Sequence, residues 1–200
     1  MITLYHAQLA RSIRVRWLLE ELGLPHQLST LGISETHRPE FAQALPLARV
    51  PVLLDGELRL CESGAIVQYL LDTYGHGRLE PARHSKERGA YLQWLHFAEG
   101  ALGVPLGIVG RELRRRANVR DVARLLEAKR EAARALAVLE PALEGREWLL
   151  EQFSAADIMM SWSVFSADRY LLLASGDFPS VKKYATRIHN RPLFRRSLGP

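Results

Sequence analysis

The sequence predicts an α/β domain built on a mixed four-stranded sheet, followed by an all-helical domain. Three observations carry this. The first third alternates short strand-forming runs with an amphipathic helix. Asp55-Gly56 stands between two short apolar runs as a hairpin signal. Beyond about residue 86 only the helical period persists.

Taken in order, Ile2 to Tyr5 is short and rich in strand formers. Residues 11–22 then follow a helical period, with Ile13, Trp17, Leu18 and Leu22 on one side and Gly23 and Pro25 as the stop. His26 to Leu31 suits a second strand, and Pro39 to Ala44 at most a short helix. Val50 to Leu54 and Leu58 to Cys61 form the hairpin, and Ser63 opens a helix that runs to about Thr73. A strand-helix-strand opening followed by a hairpin and a covering helix implies a mixed sheet with helices on both faces. The stretch GHGRLEPARHS (75–85) lacks periodicity and holds two glycines and a proline. It separates a domain over 1–76 from one over 86–200, with 77–85 as the linker. In the second domain Tyr91, Leu95, Ala98 and Leu102 recur at helical spacing, as do Val122, Leu125, Leu126, Ala133, Leu136 and Leu139. Further helices begin near Ser154, near Pro179 and after Pro192.

Composition narrows the class. Hydrophobic content of 48% and charged content of 24% suit an ordinary packed core. No apolar run has membrane-spanning length, and MITLYHAQ lacks the shape of a signal peptide. With one cysteine, Cys61, these features point to a cytoplasmic protein without membrane association. The net charge is +5. Its densest cluster, Arg111, Arg114, Arg115, Arg116, Arg120 and Arg124, is interrupted by Glu112, Asp121 and Glu127, so it reads as a solvated helical face and not as a nucleic-acid surface. Attraction of an anionic substrate stays open. There is no C-x-x-C, HExxH, G-x-S-x-G, Walker or Rossmann pattern, and the seven histidines lack metal-ligand spacing.

Four local features invite a ligand or a structural reading. Ser12, between Arg11 and Arg14 at the start of the first helix, is either an activating hydroxyl or an ordinary first-turn residue. Pro51 belongs at a strand start or edge; with a cis Val50-Pro51 bond the Val50 backbone could pair with an extended peptide, and with a trans bond Pro51 simply opens a strand. Ser63 is read as an N-cap, compatible with holding a carboxylate, and Glu62 either meets an ammonium or is an exposed acid. SAAD (154–157) fits a capping box in which Ser154 and Asp157 fix a buried helix.

In this order the chain resembles the glutathione transferases over essentially its whole length. The matching stretches are RxxRVRWLLEELGLP (11–25), PLARVPVL (46–53), ESGAIVQYL (62–70), FAEGALGVPL (97–106) and SAADIMMS (154–161). Glu99-Gly100 and Pro105-Leu106 are similar to the E-G-S-L-x-P-P-L pattern of the fungal and bacterial branch. The resemblance implies a thioredoxin-like N-terminal domain that holds glutathione as co-substrate, with no metal. It implies a cis Pro51, pairing of the cysteinyl unit with the Val50 backbone, and capture of the γ-glutamyl end by Glu62 and Ser63. Arg49 matches a position that reaches the glycine carboxylate. A homodimer is implied too, in which Glu99 completes the partner chain's γ-glutamyl site. The second substrate, a small electrophile, would meet Val104, Ile108 and Arg111.

The activity so implied is activation of the glutathione thiol for attack on an electrophilic carbon, or on an O–O bond as a peroxidase. The alternatives are a glutathione-dependent isomerase or dehalogenase, and a non-catalytic protein-binding module of the same fold. The chain departs from the family where the sulfur is met. Leu9 and Ala10 occupy the positions of the usual donor, and Ser12 falls two residues later. Ser12 is therefore the candidate catalytic residue, with Tyr5, His6, Gln8 and a backbone amide near Leu9 or Ala10 as alternatives.

Overall fold

Strand β1 (Ile2–His6) alternates, with Ile2, Leu4 and His6 buried on one face. It pairs in parallel with β2 (His26–Thr30), from Ile2 opposite His26 to His6 opposite Thr30. Parallel neighbours need a crossover. Helix α1 (Ser12–Leu22) supplies it and ends on Gly23, whose φ of 69° lets its own N–H and that of Leu24 reach back to Glu20 and Leu19. Strand β3 (Val52–Asp55) runs antiparallel to β1, and β4 (Leu58–Cys61) antiparallel to β3. The hairpin loop is Gly56-Glu57, with the positive φ that its first position requires at Gly56. The sheet order is β2-β1-β3-β4. The computed structural model describes residues 1–32, 35–45 and 47–199, so Pro46 of the PLARVPVL stretch lies outside the described residues.

Two sequence expectations change in this unit. Helix α2 covers Ser63–Leu70 and continues as a π-turn over Leu71–Gly75. Ser63 is its first helical residue and not its N-cap. The cap is Glu62, which makes no side-chain capping bond and adopts φ 70°, ψ 113°. The second change is at the C-terminus. Residues Asn190–Pro200 belong to the same compact unit as Met1–Leu79, while Glu80–His189 form the other. The last helix, α8 (Pro192–Leu198), packs on α1. Phe194 is fully buried edge-on to Trp17 with ring centroids 4.9 Å apart. Arg191 donates to the Glu21 carboxylate at 2.9 Å, and Arg16 to the Gly199 carbonyl at 2.5 Å. The expected boundary at 86–200 followed chain order, which does not reveal a segment that returns.

The helical unit begins with α3 (Glu87–Phe97), which passes through a π-turn over Ala98–Gly103 into α4 (Val104–Arg114). The Ser163 hydroxyl donates to the Ala98 carbonyl at 2.6 Å. Helix α5 (Val122–Ala142) starts on Asp121, which accepts from the Arg124 amide. Helix α6 (Ala155–Arg169) is buried without a break from Ala155 to Val164 and forms the centre of this unit. Its capping box is present as the SAAD spacing predicts. Asp157 accepts from the backbone amides of Ser154 and Leu149 and from the Tyr184 hydroxyl, at 2.9, 3.0 and 2.8 Å. Burial pushes the Asp157 carboxyl up despite these donors. Helix α7 (Pro179–Asn190) starts on a carboxylate from another helix: Glu140 accepts from the amides of Ser180 and Val181. Burial raises the Glu140 carboxyl, but those two amides, the Ser180 hydroxyl and the nearby Lys183 together hold it low. The arginine cluster is not one solvated face. Helix α4 ends at Arg114, Arg120 donates to the carbonyls of Glu112, Leu113 and Arg115, and Arg115 pairs with the buried Glu112. Among the described residues no strand follows Cys61, and no helix is long and apolar enough to cross a membrane.

Candidate functional site

The strand registers gather the candidate residues at one end of the sheet. Tyr5 lies opposite Val52, and Val52 opposite Cys61. The segment leaving β1 (7–11), the segment entering β3 (49–51) and the segment leaving β4 (62–63) therefore share that end. The N-termini of α1 and α2 lie there too. Sequence positions as far apart as 9, 50 and 63 become neighbours because β3 is antiparallel to both β1 and β4.

The Val50-Pro51 peptide is cis. Pro51 is buried, Val50 half-buried and Arg49 exposed. Glu62 is exposed at its positive φ. A non-glycine residue held there costs about 1–3 kcal/mol and persists when its surroundings fix it. Beside it Ser63 is buried, and its hydroxyl oxygen accepts from the guanidinium of Arg14 at 3.1 Å. Arg14 is fully buried on α1. Sequence reading noted Arg14 as a family marker and missed this role. The available signal was the pair of arginines, Arg14 and Arg16, within the apolar run of α1.

The first loop fixes where each candidate donor lies. Ser12 is fully buried, and its hydroxyl exchanges two bonds with Ala7: it accepts from the Ala7 amide at 3.1 Å and donates to the Ala7 carbonyl at 3.2 Å. The Ala10 amide also returns to the Ala7 carbonyl. These bonds close the loop into a tight turn, with Leu9 at φ 61° and 40% exposed at its tip. The other candidates separate by face. Tyr5 packs against the cluster of Leu31, Leu45 and Val52. His6 points to the opposite face of β1 and is fully buried, and neither ring nitrogen has a hydrogen-bond partner among the described residues. Burial first, and the nearby Arg16 second, push its pKa down to about 4, so the ring is neutral at pH 7. Gln8 is exposed. With Leu9, Thr30, Leu31 and Gly32 it lines an open cavity of about 440 Å³ that sequence reading did not anticipate.

On the helical unit, Glu99 lies in the π-turn with its carboxylate against Gly103. A Cβ at Gly103 would stand 2.7 Å from Glu99 Oε2. Val104 is half exposed, Ile108 is half-buried and Arg111 is exposed on α4. Ser154 and Asp157 are buried in the capping box. Among the described residues no group of three or more His, Cys, Asp or Glu gathers as a metal site.

A thioredoxin-like domain with a cis-proline, followed by a helical domain, defines a class, and comparison with known proteins names it. The family profile "Glutathione S-transferase, N-terminal domain" matches residues 1–72, and "Glutathione S-transferase, C-terminal domain" matches 107–192. The disulfide-bond oxidoreductase YfcG of Escherichia coli K12 is 33% identical over 99% of this chain and 94% of its own. A glutathione transferase family member from Pseudomonas fluorescens Pf-5, solved with two glutathione bound, is 32% identical with a TM-score of 0.86, covering 98% of this chain and 92% of the other. A glutathione transferase from Pseudomonas putida, solved with one glutathione disulfide per subunit, is 29% identical with a TM-score of 0.85, covering 98% and 90%. The chain belongs to the glutathione S-transferase family.

Proposed function

We propose that this protein binds glutathione at the common end of the sheet and activates its thiol for attack on a small electrophile. One observation carries the reading: three separate chain segments, with the cis Val50-Pro51 peptide and the Arg14–Ser63 pair among them, converge where α1 and α2 begin. The Val50 backbone pairs with the cysteinyl unit. Ser63, whose oxygen accepts from Arg14, keeps its own proton to donate to the γ-glutamyl carboxylate. Glu62 takes the ammonium, and Arg49 the glycine carboxylate. The protein acts as a homodimer, with Glu99 completing the γ-glutamyl site of the partner chain. Val104, Ile108 and Arg111 meet the second substrate.

A free thiol titrates near pH 8.5. Lowering that by about two units needs roughly 2.7 kcal/mol of preference for the thiolate. The hydroxyl of Ser12 and the amide of Ala10 are both engaged with Ala7, so we assign the activation to the positive end of α1 and to the side chain of Gln8. Ser12 acts as a positioning residue that holds the 8–11 loop. Titration of bound glutathione by thiolate absorbance tests the reading. A thiol pKa below 7.5 in the saturated complex is the expected result. An ordinary thiol pKa, or no binding, would sink it.

A second reading has its own support. The similarity to a disulfide-bond oxidoreductase, together with a sulfur-facing loop of Leu9 and Ala10, favours a disulfide as the electrophile. The bound thiolate attacks one sulfur, forms a mixed disulfide and expels a thiol; a second glutathione then resolves it, leaving glutathione disulfide and a second thiol. Cys61 is the single cysteine, so both electrons come from glutathione and none from a protein dithiol. Parallel assays with a chloronitrobenzene and with hydroxyethyl disulfide separate the two readings.

A further inference from the structure

We infer that Tyr170, with Arg114 and Arg111 of α4, forms an anchor for the carboxylate of an aromatic or small acidic second substrate. This rests on the proposed function and names the substrate class. Tyr170 follows the last residue of α6, and its ring packs with Ile108 against Val109, Leu125 and Ala128. Its hydroxyl lies over the backbone of α4 at Gly110. A Cβ added to Gly110 would stand 2.2 Å from the phenol oxygen and 3.4 Å from Arg114 Nη1, so the hydroxyl and a guanidinium converge on one point of the helix surface. Only a residue without a side chain admits that approach.

No described residue takes a hydrogen bond or ion pair from the Tyr170 hydroxyl, or from the guanidinium of Arg111 or Arg114. The nearest acid in sequence, Glu112, is buried and turned to Arg115 and to the Asp121 amide. Ile108, Arg111 and Arg114 follow one another at three-residue steps, which keeps them on neighbouring parts of one helix surface. The result is the apolar face of the Tyr170 ring, edged by its own hydroxyl and the Arg114 guanidinium, with Arg111 on the adjoining helix surface and no internal counter-charge on either cation. A carboxylate on a flat apolar body matches it, because charge-assisted bonds from arginine and phenol orient the acid while the ring covers the body.

The probes are 4-chloro-3-nitrobenzoate and its neutral amide. Calorimetry on the glutathione-free protein should show the acid bound at least about tenfold more tightly than the amide. Tyr170→Phe and Arg114→Gln should each reduce that ratio by about fivefold or more, and Gly110→Ala, which displaces the phenol, should do the same. In turnover the two side-chain variants should raise KM for the acid more than for the amide. Equal binding of acid and amide, or a ratio unmoved by Tyr170→Phe, would overturn the inference. Because the binding arm needs neither glutathione nor turnover, failure of the proposed function appears separately, as loss of thiol activation with the acid preference intact.

Discussion

Arg14 and Ser63, 49 residues apart, meet in a 3.1 Å hydrogen bond with both side chains buried. This bond ties the first helix of the unit to the second at the end of the sheet where the candidate site lies. It also fixes the hydroxyl rotor of Ser63: the oxygen accepts from the guanidinium, so the proton points elsewhere. Replacing Ser63 by alanine leaves the Arg14 Nη1 donor without this acceptor and, on the proposed function, removes a donor to the glutathione carboxylate. Hydrogen bonds to charged groups are worth about 1.5–3 kcal/mol. Ser63→Ala is expected to weaken glutathione binding by roughly 10- to 100-fold and to lower the unfolding midpoint. Arg14→Lys should give a milder loss of both, since one ammonium can still reach the hydroxyl. Calorimetric titration and thermal unfolding of the two variants check this.

Ser12 makes the opposite prediction. Its hydroxyl is buried and makes two hydrogen bonds with Ala7, so Ser12→Ala removes two loop-closing bonds. Unfolding in urea should show a loss of about 1–3 kcal/mol. The pKa of bound glutathione should remain lowered, read from thiolate absorbance against pH. A return of that pKa to the value of free glutathione would restore Ser12 as the activating donor.

Much of the fold was legible because it is local. The Asp55-Gly56 signal gave the hairpin, Gly23 the end of α1, and the SAAD spacing the start of α6. What was not legible depends on distance or on a conformation composition does not encode. Ser63 reads as a cap because serine before an apolar run usually is one. Only the positive φ of Glu62 shifts the cap one residue back. The π-turn at Ala98–Gly103 keeps the apolar spacing of an α-helix, so it left no break in the pattern. Phe194 and Arg191 carried no sign that they return to Trp17 and Glu21. Ser12 reads as a donor because it is the visible hydroxyl at the start of α1, whereas its burial and its bonds to Ala7 are tertiary facts.

The return of the C-terminal helix is a stability element of the first unit. Phe194 is fully buried against Trp17, and Arg191 shares Glu21 with the Trp17 indole N–H. Truncating a buried phenylalanine costs about 3–5 kcal/mol. Phe194→Ala should lower the urea midpoint by a corresponding amount, and should expose Trp17, read as a red shift of its fluorescence. Glu21→Gln should cost less, because the amide oxygen can still accept from the indole.

His6 makes stability depend on pH. Its folded pKa is about 4 against 6.5 for an unperturbed histidine, with burial as the first cause and Arg16 as the second. In the unfolded chain the ring takes a proton as pH falls below 6.5, and in the folded chain it does not until about 4. Between those values the unfolded state binds more protons, so stability falls as pH falls. The contribution is fully present above pH 6.5 and is lost on the way down to about pH 4. A difference of about two and a half pKa units corresponds to roughly 3 kcal/mol. Unfolding free energies measured at half-unit intervals from pH 7.5 to 4 should therefore decline. His6→Leu should flatten the decline by about that amount while retaining the buried volume. An unchanged slope in the variant would show that other groups, and not His6, set the acid limit of this fold.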